Sequence, residues 1–361
     1  MTIVHIVDRV KAGHGRGLSA LALARAQRRV GWDVRVLVSG VHGFGPLEDS
    51  PWYEPLFGAP RADVYRQVGA IGLVAAALAA KTRRGDTLVC HEGVDLAAAC
   101  ALPGRRVVAA VHSDPDACLA YLPASTLFQV VRRADHWVAW GTAVAAKLHV
   151  SLGIAKDRIT IGGQAMEPTA PASVPLEGSP ACLSAARVHP VKNHAVMLGA
   201  CALLARRWPD IRWHMVGGCA DRGYLARLRG IAEGLGVTGR IVWHGHRDDV
   251  AGMMLGSDVT VLASHSEGIP RAIQESMALG VPTVMPAELC ADLTHAGLPV
   301  AYRPNTPHAL ARAVEDALTV DADRLAAASA WVGRRWAWEE VLSDWVGVLA
   351  RLGEEDPRAV L

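Results

Sequence analysis

Two carboxylates frame one short stretch of the chain, SHSEGIPRAIQESMALGVPTV, which begins at Ser264. Glu267 precedes a Gly-Ile-Pro bend, and Glu275 follows that bend with seven residues between the two acids. A carboxylate accepts two hydrogen bonds side by side, which suits the vicinal hydroxyls of a sugar or a ribose. The pair therefore predicts a site for a hydroxylated ring compound.

The backbone of the same stretch predicts a place for anionic or hydroxyl groups. VTVLAS reads as an apolar strand, SEGIP as a turn and RAIQESMALG as a helix that ends at Gly280. The first N–H groups of a helix have no partner inside it, and Pro270 has no N–H at all. The unpaired amides predicted here belong to Gly268, Ile269, Arg271 and Ala272.

Two cations, Arg187 and Lys192, lie between a predicted strand and a predicted helix in SAARVHPVKNHAVML. Positive charges just before a helix N-terminus oppose the helix dipole, so they cost stability unless an anion lies between them. Phosphate fits, because arginine binds it bidentately and lysine neutralises it as a point charge. Two solvated loop cations are the alternative interpretation.

A glycine-rich loop, Gly13-His14-Gly15-Arg16-Gly17, separates the first predicted strand from the first helix. Glycines let the backbone approach a ligand closely, and the start of a helix suits phosphate. The G-x-G-x-G spacing is not a dinucleotide fingerprint, which disfavours a nicotinamide dehydrogenase. A plain turn explains the same residues.

Two histidines, His91 and His112, end the predicted strands in TLVCHEG and VVAAVHSD. Ligands of parallel sheets bind beyond the carboxyl ends of the strands, so both rings are site candidates, although a lone histidine is usually structural. Asp114 and Asp116 follow His112 and read as turn or helix-capping residues.

Short apolar strands alternate with alanine-rich helical segments along the whole chain and must position these residues. The strands are TIVHIV, VRVLVS, TLVCHEG, VVAAVHSD and HWVAWG in the first half and ACLSAA, IRWHMVGG, RIVWHG, VTVLAS and PTVMP in the second. This alternation predicts α/β domains with doubly wound parallel sheets.

The length of 361 residues exceeds the size at which a single core keeps growing, so two domains are expected. The proline-rich EPTAPASVPLEGSP cannot continue a helix or a central strand and marks a linker. WVGRRWAWEEVLSDWVGVLARL repeats apolar residues at helical spacing and predicts a helical segment. We predict an N-terminal domain over 1–167, a linker over 168–180, a C-terminal domain over 181–335 and a C-terminal helix over 336–361.

The composition excludes several classes of protein. A formal charge of +2 with scattered arginines argues against a nucleic-acid partner. Seven dispersed cysteines without metal-ligand spacing fit a reducing cytosol. The N-terminus lacks the features of a signal peptide, and the longest apolar run, AIGLVAAALAA from Ala70, is too short to span a bilayer. A soluble cytoplasmic protein is expected.

The stretch SEGIPRAIQESMALGVPTV resembles the signature of the retaining glycosyltransferases of family four: Glu, seven residues, Glu and a Met-Ala-x-Gly-x-Pro tail. SAARVHPVKN resembles that family's Arg-then-Lys phosphate loop, and WHMVGG resembles its glycine turn. The resemblance runs over most of the chain. It implies the GT-B architecture, in which two Rossmann-like domains face each other across a cleft. In that architecture the N-terminal domain would bind the acceptor, the C-terminal domain would bind the nucleotide sugar, and the C-terminal helix would cross back to the N-terminal domain.

The resemblance implies residue roles. Glu267 would face the donor sugar, Glu275 would bind the ribose hydroxyls, Arg187 and Lys192 would hold the diphosphate, and His112 would meet the sugar at the reacting centre. The catalytic candidates are thus His112, Glu267, Arg187 and Lys192. The further donor-binding candidates are Gly15, Gly17, Gly217, His246, Gly268, Ile269, Pro270, Arg271 and Ala272. The donor would be a UDP or GDP sugar, and the implied mechanism requires no metal and no other cofactor.

The chain departs from the family pattern in two places. Residues 162–167, GGQAME, stand where Asn-Gly-x-Asp is usual, and residues 286–288, PAE, stand where Gly-Gly is usual. A different GT-B enzyme, such as a nucleotide-sugar epimerase, and a catalytically silent GT-B binding protein are the alternatives. The epimerase would not be expected to show the glutamate pair, and the silent protein should have lost Arg187, Lys192 or Glu275.

The acceptor is expected to be a small molecule bound by the N-terminal domain. His91, Asp114, Glu48 and Trp52 are the acceptor-binding candidates, and the acids suit a cationic or amphipathic compound such as an aminocyclitol. A solvated loop explains the same acids. Contact with a membrane surface is not favoured, because the helical segment after Ala62 carries few cations.

Overall fold

The chain forms two compact units. The computed structural model describes residues 2–8, 15–39, 53–56, 70–91, 93–119, 122–166 and 171–353. The first unit comprises the residues up to Ala165 together with those from Trp336 onward, and the second runs from Met166 to Arg335. Each unit contains one parallel β-sheet.

The sheet of the first unit has seven strands in the order β3-β2-β1-β4-β5-β6-β7, all parallel. The strands are β1 Ile3–Val7, β2 Val34–Val38, β3 Tyr53–Pro55, β4 Thr87–Cys90, β5 Arg106–Val111, β6 His136–Trp140 and β7 Ile159–Gly162. β1, β4 and β6 are buried along their whole length. Strands covered on both faces read as continuous apolar runs, which is why the sequence predicted them.

The helices of this part of the chain are α1 Gly15–Arg29, α2 Ala70–Lys81, α3 Gly93–Cys100, α4 Pro115–Leu119, α5 Ala124–Arg133 and α6 Thr142–Leu152. Alanines and leucines of α2 and α3 pack with the strands in one core cluster. α1 already begins at Gly15, so Gly15 and Gly17 lie in its first turn and not in a loop as predicted. Gly13 and His14 lie outside the described residues.

The sheet of the second unit has six parallel strands in the order β10-β9-β8-β11-β12-β13. They are β8 Ala181–Ala185, β9 Arg212–Val216, β10 Ile241–Gly245, β11 Val259–Val261, β12 Thr283–Pro286 and β13 Val300–Tyr302. The helices are α7 His194–Leu204, α8 Arg222–Gly234, α9 Val250–Leu255, α10 Arg271–Ala278, α11 Pro307–Ala317 and α12 Ala322–Arg335.

Local sequence signals fix some of these helix starts. The Asp221 carboxylate accepts from the Tyr224 N–H at 2.9 Å and caps α8. Thr306 caps α11, whose first residue is Pro307, a position where the missing N–H of proline has no cost.

The predicted C-terminal helical segment is interrupted. α12 ends at Arg335, and the last helix, α13 Trp338–Arg351, begins after Trp336 and Ala337. Trp336 is 1% exposed, and a Cβ added to Gly163 would overlap its ring. Neither proline nor glycine marks the break, so the burial of Trp336 against Gly163 outweighs the local preference for a continuous helix.

The strand order of the second unit is the 3-2-1-4-5-6 order of the Rossmann fold, and the first unit repeats it with one strand added. The predicted class, an α/β protein with two Rossmann-like doubly wound parallel sheets, is therefore confirmed. No helix in the described ranges combines the length and the apolar character needed to cross a membrane.

Candidate functional site

The strand order of the second sheet reverses between β8 and β11, which are neighbours in that sheet. From β8 the chain adds β9 and β10 on one side, and from β11 it adds β12 and β13 on the other. In open parallel sheets, ligands bind beyond the carboxyl ends of the strands at such a switch point. The loop after β8 carries Arg187 and Lys192, and the loop after β11 carries Ser264 and Glu267. The topology therefore brings the predicted cations and the first predicted acid to one edge of the sheet.

Lys192 and Glu267 contact each other directly. The Lys192 ammonium forms an ion pair with Glu267 Oε1, and both side chains are mostly buried, with 17% and 14% exposed. The Ser264 hydroxyl donates to the same oxygen at 2.6 Å. The two loops are also joined by the His265 N–H, which donates to the Val191 carbonyl at 2.8 Å. Glu267 Oε2 has no hydrogen-bond donor within the described residues.

The sequence around Lys192 forces the turn that aims it at Glu267. Pro190 begins a short 3-10 turn that ends at Lys192, and His189 Nδ1 accepts from the Val191 N–H at 3.3 Å. Asn193 then adopts a left-handed conformation with φ 52°, which asparagine tolerates better than most residues. α7 begins at the next residue, so Lys192 lies just before its N-terminus.

Arg187 is exposed and forms no ion pair among the described residues. Its charge acts at a distance, because partial burial and then the charges of Arg187 and Lys192 lower the pKa of His189. Burial, followed by the charge of Lys192, lowers the pKa of His194 to about 4. Burial is the larger cause of both shifts, and the neighbouring cations act in the same direction.

Gly217 supports the Arg187 loop from the end of β9. Its φ is 148°, and a Cβ there would overlap the carbonyl group of Ala186. The Val188 N–H donates to the Gly218 carbonyl at 2.9 Å, which holds the two loops together. Gly217 is thus required for the close approach of two backbone segments.

The second acid of the signature lies on α10 and contacts Arg271. Glu275 Oε1 accepts from Arg271 Nε at 2.5 Å, an i,i+4 pair on a partly exposed face. α10 begins after Pro270 without a side-chain cap. In the described chain the amides predicted to be unpaired, those of Gly268, Ile269, Arg271 and Ala272, have no acceptor. The Ile269 side chain is buried and packs in the interior.

His246 lies after β10, the edge strand of the sheet, and is two strands away from β8. Its Nε2 is 3.3 Å from Asp248 Oδ1, and about half of the side chain is exposed. His246 is therefore separate from the Lys192–Glu267 pair.

Three histidines line up in the first unit. His91 Nδ1 is 2.7 Å from His112 Nε2, and His91 Nε2 is 3.0 Å from His5 Nδ1. The His112 ring stacks on Trp140 with centroids 3.9 Å apart. Burial lowers the pKa of His5 to about 4 and the pKa of His91 well below its ordinary value. Both ring nitrogens of His91 bond to other histidines, and the residue is 3% exposed. Its ring therefore has no free nitrogen with which to bind an acceptor substrate.

Asp114 is engaged within the protein as well. Its Oδ1 accepts from the Asp116 N–H at 3.1 Å, just before α4, and its Oδ2 forms an ion pair with Lys147 at 2.5 Å. The sequence had read it as both a turn residue and an acceptor candidate. The other acceptor candidates, Glu48 and Trp52, lie outside the described residues.

Several neighbours of the site were not predicted. Ser264, His5 and Trp140 contact predicted residues, and Gln27 of α1 contacts His5. For Ser264 and His5 the available signal was a polar residue within or next to an apolar strand. Among the described residues, no group of three or more His, Cys, Asp or Glu side chains is arranged to hold a metal ion.

Solved structures share this fold at low sequence identity. HepE (Alr3699) of Anabaena, crystallised with UDP and glucose, is 17% identical with a TM-score of 0.77, covering 96% of this chain and 99% of that chain. A glycosyltransferase of Rickettsia africae is 17% identical with a TM-score of 0.75, covering 98% and 100%. Sucrose-phosphate synthase of Thermosynechococcus elongatus is 17% identical with a TM-score of 0.75, covering 98% and 99%.

Two Rossmann-like domains with these structural relatives define a GT-B protein. Residues 167–330 match the family model of the glycosyl transferases group 1. The second unit therefore contains a glycosyl transferases group 1 domain. A comparison with curated proteins finds no match.

Proposed function

We propose that the protein transfers a sugar, with retention of configuration, from a nucleoside diphosphate sugar to a hydroxyl of a small-molecule acceptor. The observation that carries this proposal is the ion pair of Lys192 with Glu267 at the switch point of the second sheet. It joins a cation for phosphate to an acid for sugar hydroxyls at the edge where such sheets bind ligands. Within this proposal the chain is a family-four member.

The diphosphate would be held by Arg187, Lys192 and the α10 amides. Arg187 has no ion-pair partner among the described residues, so its guanidinium is available to bind an anion bidentately. The amides before α10 add donors and the positive end of the helix dipole. Gly15 and Gly17, in the first turn of α1, would approach the diphosphate from the first unit.

Donor binding would rearrange the charges around Lys192. In the structure Lys192 is balanced by Glu267, which is also held by Ser264. A diphosphate would take over part of the Lys192 charge, and Glu267 Oε2 would accept from a sugar hydroxyl. Glu275 would bind the ribose, and backbone groups around His246 would contact the base. HepE binds UDP and glucose, which supports a UDP sugar as the first donor to test.

The reaction requires stabilisation of negative charge on the leaving diphosphate as the bond from the anomeric carbon to the phosphate oxygen breaks. Fixed positive groups near that oxygen lower the barrier, because their attraction to the oxygen grows as its negative charge develops. The diphosphate would accept the acceptor's proton while the new bond forms on the same face of the sugar, which retains the configuration. His112 would contact the sugar. In this scheme no metal is required.

The two units would divide the work. Residues 181–335 would bind the nucleotide sugar, residues 1–167 would bind the acceptor, 168–180 would link them, and 336–361 would return the chain to the first domain. All seven cysteines are free, which fits the cytoplasmic location that we propose.

A cationic or amphipathic acceptor, such as an aminocyclitol of secondary metabolism, stays a hypothesis. Asp114 already balances Lys147, and His91 is enclosed, so the acids of the loop around Glu48 and Trp52 must carry the recognition. Equal turnover of cationic and neutral acceptors would disprove this preference.

The test of the function is an assay of UDP and GDP sugars against a panel of hydroxylated acceptors. Transfer should release one nucleoside diphosphate per glycoside formed. The coupling of the anomeric proton to the neighbouring ring proton in the NMR spectrum of the product should show that the configuration of the donor is retained. An epimerase would instead yield a free altered sugar or nucleotide sugar without a glycoside. A silent binding protein would bind the donor without releasing nucleoside diphosphate.

A further inference from the structure

Arginines that are scattered along the sequence come together at one edge of the first sheet. The segments that lead into β4, β5, β6 and β7 are residues 83–86, 103–106, 132–135 and 156–158. They contain eight arginines and lysines and three aspartates, a net charge of +5, whereas the whole chain has +2. Because the four strands are parallel neighbours, these segments lie side by side at the amino ends of the strands.

Contacts between the segments show that they form one surface. Arg105 Nη2 donates to the Thr82 carbonyl at 2.8 Å, and the Arg84 side chain lies against Gly104. Arg158 donates to two carbonyls at the C-terminal end of α5. The loops before β4 and β5 are thus joined, and so are the end of α5 and the start of β7.

Five of these side chains form what we call the basic edge: Arg83, Arg84, Arg105, Arg132 and Arg133. In the part of the chain that the structure describes, none of the five forms an ion pair. Asp86 and Asp135 lie in the same segments, but their carboxylates accept backbone N–H groups, each at 2.7 Å. The positive charge of the basic edge is therefore left for an external anion.

The helix α2, which ends just before the basic edge, exposes an apolar face. Leu73 is 50% exposed, and its exposed neighbours on that face are Gly72, Ala76, Ala79 and Ala80. Lys81 is the only charged residue of α2, and it is paired with Glu54. A helix that is apolar all round is normally buried, so this face indicates that another surface covers it.

The helix α5 combines exposed apolar and basic residues. Phe128 is 61% exposed, and the Arg132 guanidinium lies 5.5 Å from the centre of its ring. α2 and α5 lie on the same face of the sheet, because their crossovers advance in the same direction across it and such connections are right-handed. The buried α3 contacts both helices.

We propose that the basic edge and the outer faces of α2 and α5 dock on a membrane surface that contains anionic lipids. The arginines would lie at the lipid phosphates, and Phe128 and Leu73 would enter the boundary between headgroups and acyl chains. A nucleic acid would use the arginines but has no use for the aliphatic face of α2.

The sequence argues against membrane contact only from the α2 segment, which has few cations of its own. The fold supplies the arginines of other segments beside it. His91 and His112 follow the carboxyl ends of β4 and β5, at the opposite edge of the sheet, so docking would not cover them. The proposal does not depend on the proposed function.

The test is co-sedimentation of the full chain with vesicles of phosphatidylcholine, with and without phosphatidylglycerol. The protein should bind the anionic vesicles at low salt, release them at high salt, and ignore the neutral ones. Arg132→Gln with Arg133→Gln should lower the affinity about 25-fold, about fivefold for each arginine near the anionic surface. Phe128→Ser should lower it about tenfold, through the loss of a buried ring.

The matched control is Arg206→Gln with Arg207→Gln, an exposed arginine pair just after α7 in the second unit. It changes the net charge equally and should leave vesicle binding nearly unchanged, as should excess UDP. The altered sites are exposed, so the thermal midpoints of all variants should stay close to that of the unaltered protein.

Three results would overturn the proposal. They are equal binding to neutral and anionic vesicles, no binding to anionic vesicles, and a loss of affinity no larger in the Arg132 and Arg133 variant than in the control. RNA binding that needs the arginines but not Phe128, without vesicle binding, would assign the surface to nucleic acid and overturn the proposal as well.

Discussion

Lys192 and Glu267 are ion-paired across the switch point of the second sheet although 75 positions separate them in the chain. The pair fastens the loop after β8 to the loop after β11. It also places a cation and a carboxylate together at the β8–β11 edge, where the proposed diphosphate and sugar would bind. The same two residues would therefore stabilise the free protein by their ion pair and bind the donor in the proposed complex.

Breaking this pair should destabilise the unit. Lys192→Met leaves the mostly buried Glu267 carboxylate without its cation, so the free energy of unfolding should fall by about 2 kcal/mol. The double change with Glu267→Gln should recover most of that loss, because the unpaired charge is gone. Urea unfolding measures all three variants.

Lys147→Met is the matched control, because it breaks the more exposed pair with Asp114. Exposed pairs contribute about 0.2–1 kcal/mol. If Lys192→Met lowered the free energy of unfolding no more than Lys147→Met does, the Lys192–Glu267 pair would contribute no more to stability than an exposed ion pair.

The backbone crossing at Gly217 should not tolerate a side chain. Gly217→Ala places a Cβ against the Ala186 carbonyl at a positive φ, so it should cost about 2 kcal/mol or more and disturb the Arg187 loop. At the neighbouring Gly218 an added Cβ meets no atom within 4 Å, and Gly218→Ala should have a small effect. The thermal midpoints of the two variants compare the sites, and similar midpoints would refute the crowding.

Acid should unfold the protein through its buried neutral histidines. The pKa of His194 falls from 6.5 unfolded to about 4 folded, mainly by burial, so the unfolded chain binds the extra proton first. Stability is therefore complete above pH 6.5 and is lost as pH falls toward 4, by roughly 3 kcal/mol for this group.

Urea midpoints between pH 7 and pH 4.5 measure this dependence. His194→Phe should reduce this dependence without removing it, because burial also lowers the pKa of His5 and of His136 to about 4. The exposed His308→Asn should leave the dependence unchanged. A slope that is the same in His194→Phe as in the unaltered protein would exclude His194 as a source of acid lability.

The second acid of the signature should act on donor affinity. Glu275→Gln keeps the shape of the side chain but loses the charge and one acceptor for the ribose hydroxyls. The Kd of a UDP sugar should rise about tenfold, which corresponds to one hydrogen bond to a charged group. Glu233→Gln on α8 is the exposed control in the same unit. An unchanged Kd in Glu275→Gln would remove this residue from the ribose site.

The sequence predicted the framework of the fold because buried parallel strands are continuous apolar runs. It did not name β3, β7 or β13, which have only three or four residues and carry little pattern. The break at Trp336 was missed for a different reason. Its cause is a contact with Gly163, and a contact between residues so far apart has no local signal.

The sequence predicted which loops form the candidate site but not which side chains contact each other there. The switch-point rule placed the Arg187–Lys192 loop and the Glu267 loop at one edge, yet it could not show that Lys192 and Glu267 touch. His91 and His112 were recognised at strand ends, but His5 lies inside β1, paired in register with Val89. Only the register of β1 and β4 reveals that His5 faces His91.

The central claim is that the cations at the β8–β11 edge hold a nucleoside diphosphate, and calorimetric titration with UDP, GDP and the corresponding nucleosides tests it directly. One diphosphate should bind far more tightly than its nucleoside, and the double change Arg187→Gln with Lys192→Met should abolish that difference while leaving the folded state intact. If the doubly substituted protein bound the diphosphate as tightly as the unaltered protein, or if the unaltered protein bound neither diphosphate, the account would be contradicted.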